Sequence, residues 1–173
     1  MPDLDELAAA RLRFPTGERV RGRIVAKPWG DGITGLFVDL GARPTGFVDV
    51  LNLPEEPRPW PEIGQEGLFE VLQHRPGQVR LYPLDASMRT RRNTRFRLSG
   101  PDWAAVSARY PVGSTVTATV THVFPSNREY VVEFDSHHAV LEYEDPAPTV
   151  GTVGRYHVVR LLEWTQRIQA VKA

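Results

Sequence analysis

The feature that most constrains this chain is a strand-and-turn pattern that occurs twice. Gly17-Glu-Arg-Val20-Arg-Gly22-Arg-Ile24 is matched position by position by Gly113-Ser-Thr-Val116-Thr-Ala118-Thr-Val120. In each stretch a glycine is followed by small or apolar residues alternating with polar ones, the period-two signature of a half-buried strand. Downstream, Gly154 to Leu162 matches Gly64 to Leu72, and Arg167-Ile-Gln-Ala-Val171 takes the place of Gln78-Val-Arg-Leu. The same order of elements twice predicts an internal duplication. It argues against one large sandwich.

The first copy reads as a run of short strands. After Glu18 to Ile24 come Gly35-Leu-Phe-Val-Asp-Leu40 and Thr45-Gly-Phe-Val-Asp-Val50, then Gly67 to Gln73 and Gln78 to Leu84, joined by the turn His74-Arg-Pro-Gly77. Pro54, Pro57, Pro59 and Pro61 make the stretch before the fourth strand irregular. Five strands in about seventy residues is the count of an OB-type barrel. Leu4 to Leu12 predicts a short helix with Leu4, Leu7, Ala8 and Leu12 on one side. Gly100-Pro-Asp102 opens a second helix carrying Trp103, Val106 and Tyr110, which Pro111 ends. The expected fold is mainly all-β: two tandem five-stranded OB-type barrels with short N-terminal and inter-domain helices. The expected boundaries are an N-terminal helix over 1–16, a first barrel over 17–86, an arginine-rich linker and helix over 87–111, and a second barrel over 112–173.

Charge removes one class of function. The 21 basic and 21 acidic residues cancel, so no global basic field captures polyanions, and any such site is built by local clustering. The absence of Cys excludes disulfides, cysteine zinc sites and a cysteine nucleophile. Met1 to Arg13 lacks the apolar run of a signal peptide, and no stretch approaches the roughly 18 apolar residues of a membrane helix. A cytoplasmic monomer without a membrane partner is expected. His137 and His138 are adjacent on a strand and point to opposite faces, which disfavours a shared metal. His74, His122 and His157 have no partner at ligand spacing. No phosphate loop, nucleophile elbow or catalytic carboxylate pair is present. Neither metal, cofactor nor enzymatic activity is expected.

Both copies resemble the S1 RNA-binding domain family, a branch of the OB fold. The resemblance is carried by Gly17 to Ile24, Gly35-Leu-Phe-Val-Asp-Leu40, Gly46-Phe-Val-Asp49 and the stretch from Gly64. The second copy is also similar to the repeats of bacterial ribosomal protein S1, through Trp103 and then Tyr110-Pro-Val-Gly113-Ser-Thr-Val116. The resemblance implies binding of single-stranded RNA on the faces of strands two and three, with two stacking aromatics and a His. Those positions are Thr34, Phe37 and Asp49 in the first copy, and Asn127, Tyr130 and Glu142 in the second. One aromatic of each pair is kept and an acid replaces each His. Aligning Val132 rather than Val131 with Val38 would put Tyr130 inside the barrel, and the sequence leaves both registers open.

The candidate nucleic-acid contacts are therefore Phe37 and Tyr130 as stacking rings and Trp29 in the loop after the first strand. To these are added the stripe Arg19, Arg21, Arg23 and the run Arg89, Arg91, Arg92, Arg95, Arg97. Each has a structural alternative: core packing for the rings, a solvated strand face for the stripe, a soluble linker for the run. Trp103 and Tyr110 read as packing residues. The expected partner is single-stranded or structured RNA, with a ribosomal or translational association. The alternative is a protein-interaction module, which rests on the neutral charge, the two acids at His positions and the loop from Pro54 to Pro61.

Overall fold

The structure is a computed structural model that describes residues 2–28, 34–92, 98–144, 146–163 and 165–173, with side chains from Glu6 onward. The chain divides into two compact units, Met1–Arg92 and Asn93–Ala173.

The first unit contains α1 (Pro2–Arg13), β1 (Arg19–Ala26), β2 (Gly35–Asp39), β3 (Thr45–Asp49), β4 (Glu66–Arg75) and β5 (Gln78–Pro83). The strands close into a barrel in the order β1-β2-β3-β5-β4. Period-two alternation sends Ile24, Leu36, Val38, Val48, Phe69, Val71, Val79 and Leu81 inside, each at most 1% exposed. The closing pair, β3 with β5, is parallel: Thr45, Gly46 and Phe47 face Gln78, Val79 and Arg80. Gly46 makes this approach feasible, because a Cβ there would lie 2.6 Å from Leu81 Cδ1.

The second unit contains α2 (Gly100–Arg109), β6 (Thr115–Phe124), β7 (Glu129–Phe134), β8 (His137–Glu142), β9 (Val153–Leu162) and β10 (Arg167–Lys172). Its strands follow the equivalent order, β10-β9-β6-β7-β8, but as an open sheet. Cα atoms of β8 and β10 come within 8 Å of each other, yet no ladder joins them among the described residues. Where β3 has Gly46 opposite Val38, β8 has Ala139 opposite Val132. One closed barrel and one open sheet of the same order thus replace the expected pair of barrels.

The duplication is longer than the strands. Leu7, Ala10 and Phe14 bury one face of the first helix and its exit, and Trp103, Val106 and Tyr110 do the same for the second. The Phe14 amide donates to Ala10 and the Tyr110 amide to Val106. Gly17 and Gly113, both at positive φ, donate to Val71 and Val158 across the sheet. Each unit is therefore a helix followed by five strands. The helices expected as an N-terminal extension and an inter-domain segment are the same element twice. The buried face of α1 also differs from the expected one: Leu12 is 84% exposed and Ala8 is exposed, while Leu7, Ala10 and Phe14 are buried.

Two further expectations are corrected. Gly154 is the counterpart of Gly67, not of Gly64: Gly67 pairs with Gly22, and Gly154 with Ala118. The counterpart of Gly64 is Gly151. Both have φ +93 and donate their amides to Ile24 and Val120 respectively. Residues 87–92, expected in the linker, fold against the first barrel. A 3-10 turn, Ala86–Met88, inserts Met88 at 1% exposure. Gly67 makes room for it, since a Cβ there would lie 2.5 Å from the Met88 sulfur. Beyond it the Thr90 amide donates to Asn52, and the Thr90 hydroxyl and Arg91 amide donate to Glu55. Among the described residues, no helix is long and apolar enough to cross a membrane.

Candidate nucleic-acid interface

The outer face of the first barrel is set by the same alternation that fills its interior. Between the inward residues Leu36 and Val38 lies Phe37, between Gly46 and Val48 lies Phe47, and between Val79 and Leu81 lies Arg80. The ladder registers place these three outward side chains side by side: Phe37 opposite Phe47, and Phe47 opposite Arg80. The two rings meet edge to face, with centroids 5.4 Å apart at 61°. The Arg80 guanidinium covers the Phe47 ring at 4.6 Å from its centroid. Gly35 provides the shelf for the far end of that ring: a Cβ there would lie 2.7 Å from Phe47 Cζ.

Phe47 is only 5% exposed, whereas Phe37 and Arg80 are half-buried. Phe47 is thus the floor, and the surface offered to a ligand is one aromatic ring and one guanidinium plane held beside it. A cation over an aromatic face is attracted by the ring quadrupole, by about 0.5–2 kcal/mol depending on solvation. Asp49 fixes Arg80 from the other side, Oδ2 to Nη1 at 3.5 Å, while its Oδ1 accepts the Leu51 amide at 2.9 Å. Burial, and then the nearby Arg75, push the Arg80 guanidinium below its ordinary pKa, opposed by Asp49. Asp49 is the position at which the S1 family, which the sequence only resembles, has a His. Its charge is taken up by Arg80 and by capping the 3-10 turn Val50–Asn52, which weakens the repulsion an acid would exert on a phosphate.

The other sequence-derived candidates are placed differently. Arg19, Arg21 and Arg23 are all exposed on the outer face of β1, but Arg23 donates to Glu66 at 2.9 Å and faces Asp39 on its other side. The Arg23 hydrogen bond lowers the Glu66 pKa, with a smaller contribution from Arg21. The stripe is therefore interleaved with acids. Arg89 turns inward, its Nη1 donating to the Leu84 carbonyl at 2.8 Å, whereas Arg91 and Arg92 are exposed. Trp29, Arg95 and Arg97 lie outside the described residues.

Tyr130 is a correction. Val120 pairs with Val132 as Ile24 pairs with Val38, so Tyr130 points into the core of the second unit at 5% exposure. Burial, and then Tyr156 by charge and hydrogen bonding, push its hydroxyl up to about 12. The residues standing where Phe37 and Phe47 stand are Val131 and Val140, which face each other across β7 and β8. The rings on this outer face are instead His122 and Phe124 on β6, parallel within 5° and 6.1 Å apart. Sequence reasoning missed Phe47 and Arg80. The alternation around Gly46 and Val48 marks Phe47 as outward, but only the parallel pairing of β3 with β5 brings Arg80 to it.

The strand order and this outer face define the first unit as an OB-type barrel, a fold whose strand-two and strand-three face serves oligonucleotides and oligosaccharides. No protein-family profile matches the chain, and no curated protein matches it. Among solved structures, it is similar to a multidomain protein with nucleic acid binding domains from Streptococcus pneumoniae TIGR4, at 15% identity and a TM-score of 0.32 over 90% of this chain. It is also similar to Drosophila Unr CSD456, at 14% identity and a TM-score of 0.29 over 94% of this chain. The chain spans 51% of the first and 64% of the second.

Proposed function

We propose that this chain is a binding protein, not an enzyme, and that its ligand is single-stranded nucleic acid held on the outer face of β2, β3 and β5. The observation that carries the reading is the row Phe37–Phe47–Arg80. A base stacks on Phe37, and a second base plane or a phosphate meets the Arg80 guanidinium, which serves both uses. RNA is the preferred form and translation the preferred setting, on the strength of the resemblance to the S1 family. The exposed Arg91 and Arg92 add local positive charge to a chain without a net field.

The test is binding of labelled single-stranded RNA across a salt series, with duplex RNA as competitor. Binding at low salt is expected, with a log–log salt slope of about −0.7 per phosphate contacted. Absence of binding at low salt, or binding indifferent to Phe37→Ala and Arg80→Met together, would sink the reading. A second reading applies to the second unit alone. Val131 and Val140 give it an aliphatic face where the first unit has rings, next to the exposed Glu133 and Glu142, and such a face suits a protein partner. Val131→Glu with Val140→Glu would then abolish a partner that survives nuclease treatment while leaving RNA affinity unchanged.

A further inference from the structure

A groove of about 910 Å³ opens on the first unit beside the candidate interface, between the 3-10 turn Val50–Asn52, the proline-rich connection and the segment that returns past Thr90. Its volume falls within the range of ligand-sized clefts. Trp60 and Leu51 line it together with Lys27 and Arg92. Leu51 is 78% exposed. The Lys27 ammonium lies 6.0 Å from the Trp60 ring centroid, and the Trp60 indole is fixed by donating to the Pro54 carbonyl at 3.0 Å.

The charges in this groove are not equivalent. Glu55 is consumed internally by the Thr90 hydroxyl, the Arg91 amide and Arg58. Arg58 is itself spent on Glu55 and on the Arg89 and Ala86 carbonyls. The remaining lining charges, Lys27, Arg92 and Glu56, are all exposed, and among the described residues no carboxylate engages either cation. Two available cations against the single exposed carboxylate of Glu56, with an aromatic wall and an apolar rim, match a phosphodiester strand, which presents anionic oxygens and base planes in alternation. Continuity supports the same ligand. Asp49 holds Arg80 with one oxygen and caps the turn bearing Val50 and Leu51 with the other, so the groove begins where the Phe37–Arg80 platform ends.

We infer that the groove is a second subsite for the same single strand: one phosphate lies against Lys27 and Arg92, and a base rests on Trp60 and Leu51. This rests on the single-strand reading of the platform. It makes the site longer than the platform alone, within the roughly 4–16 nucleotides that one OB barrel accommodates.

The experiment compares oligouridylates of about three and about eight nucleotides, the short one filling the platform and the long one reaching the groove on that range of site sizes. Wild-type protein is expected to bind the longer one at least about fivefold more tightly, the lower end of the effect of one additional stacked base. The surface variant Lys27→Glu with Arg92→Glu should erase that gain and flatten the salt slope by about 0.7 for the lost phosphate, while costing the short oligonucleotide far less. The long oligonucleotide alone should quench a component of tryptophan emission that Trp60→Phe removes. A length gain that survives the charge reversal, or a Trp60 signal indifferent to length, overturns the subsite while leaving the platform standing. If neither length binds, or Phe37→Ala leaves both unchanged, the platform reading fails and the subsite falls with it. An octaglutamate peptide that binds in place of the long oligonucleotide, and loses binding on charge reversal, assigns the groove to acidic protein segments and overturns the inference.

Discussion

Phe37 on β2 and Phe47 on β3 face each other across an antiparallel pair, 5.4 Å apart and edge to face, on the outside of a closed barrel. Their exposures differ: Phe37 is half-buried, and Phe47 lies at 5% beneath Arg80. On the proposed function, Phe37 meets the ligand and Phe47 supports it, and this separates the consequences of mutating them.

Phe37→Ala should weaken single-stranded RNA binding by about 1–3 kcal/mol, the value of one base stack, with a much smaller loss of folding stability. Phe47→Ala should weaken binding too, but it also removes the support under Arg80 and should lower the unfolding midpoint. Fluorescence anisotropy and urea denaturation on the two variants check this. Equal stability losses in both would contradict the assignment of floor and platform.

Arg80→Lys should not restore Arg80→Met. A lysine keeps the charge but loses the plane that lies over Phe47 and stacks on a base. The expected result is a retained salt slope with affinity still well below wild type. Full rescue by Lys would show that Arg80 acts only as a point charge.

Gly35→Ala should be among the most destabilising single-methyl changes in the first unit. The new Cβ would sit 2.0 Å from the Val48 carbonyl oxygen, which is backbone and cannot turn away. Overpacking of this kind costs about 1–3 kcal/mol, occasionally more. Urea denaturation measures it, and a loss below about 0.5 kcal/mol, the scatter of ordinary surface substitutions, would contradict the close contact.

The segment past Thr90 should loosen in acid. The Thr90 hydroxyl, then backbone amides and Arg58, lower the Glu55 carboxyl from 4.5 to about 2. A folded pKa below the unfolded one means that the contribution is complete above pH 4.5 and is lost as the pH falls towards 2. Protection of the Thr90 and Arg91 amides, their exchange relative to the intrinsic rate at each pH, should fall across that window. Glu55→Gln should show the lower protection already at neutral pH.

Tyr130→Ala should destabilise the second unit by about 3–5 kcal/mol, as for truncating a buried aromatic, and leave the RNA affinity of the folded protein unchanged. A drop in affinity without a drop in stability would put Tyr130 back on a binding surface.

Much of this architecture is legible in the sequence because period-two alternation and positive-φ glycines are local signals. Gly17 and Gly113 mark the entry to each sheet, and Leu36, Phe37 and Val38 declare their faces by alternation alone. What is not legible is non-local. Gly154 looks like Gly64 because a glycine alone does not reveal whether it serves a turn, as Gly64 and Gly151 do, or a strand, as Gly67 and Gly154 do. The register that buries Tyr130 depends on a bulge between Val120 and His122. Arg80 joins Phe47 only through the parallel closure of β3 on β5, which no stretch of sequence announces. The arginine run was visible, but whether Arg89 turns to solvent or to the Leu84 carbonyl depends on where Met88 packs.

The most direct measurement is an amide chemical-shift titration of the whole chain with a single-stranded oligouridylate at low salt. The expected result is saturable shifts at Phe37, Phe47, Asp49 and Arg80, with the core of the second unit around Tyr130 and Val132 unmoved. Shifts confined to the second unit, or no shifts at any concentration, would contradict the placement of the nucleic-acid site on the outer face of β2, β3 and β5.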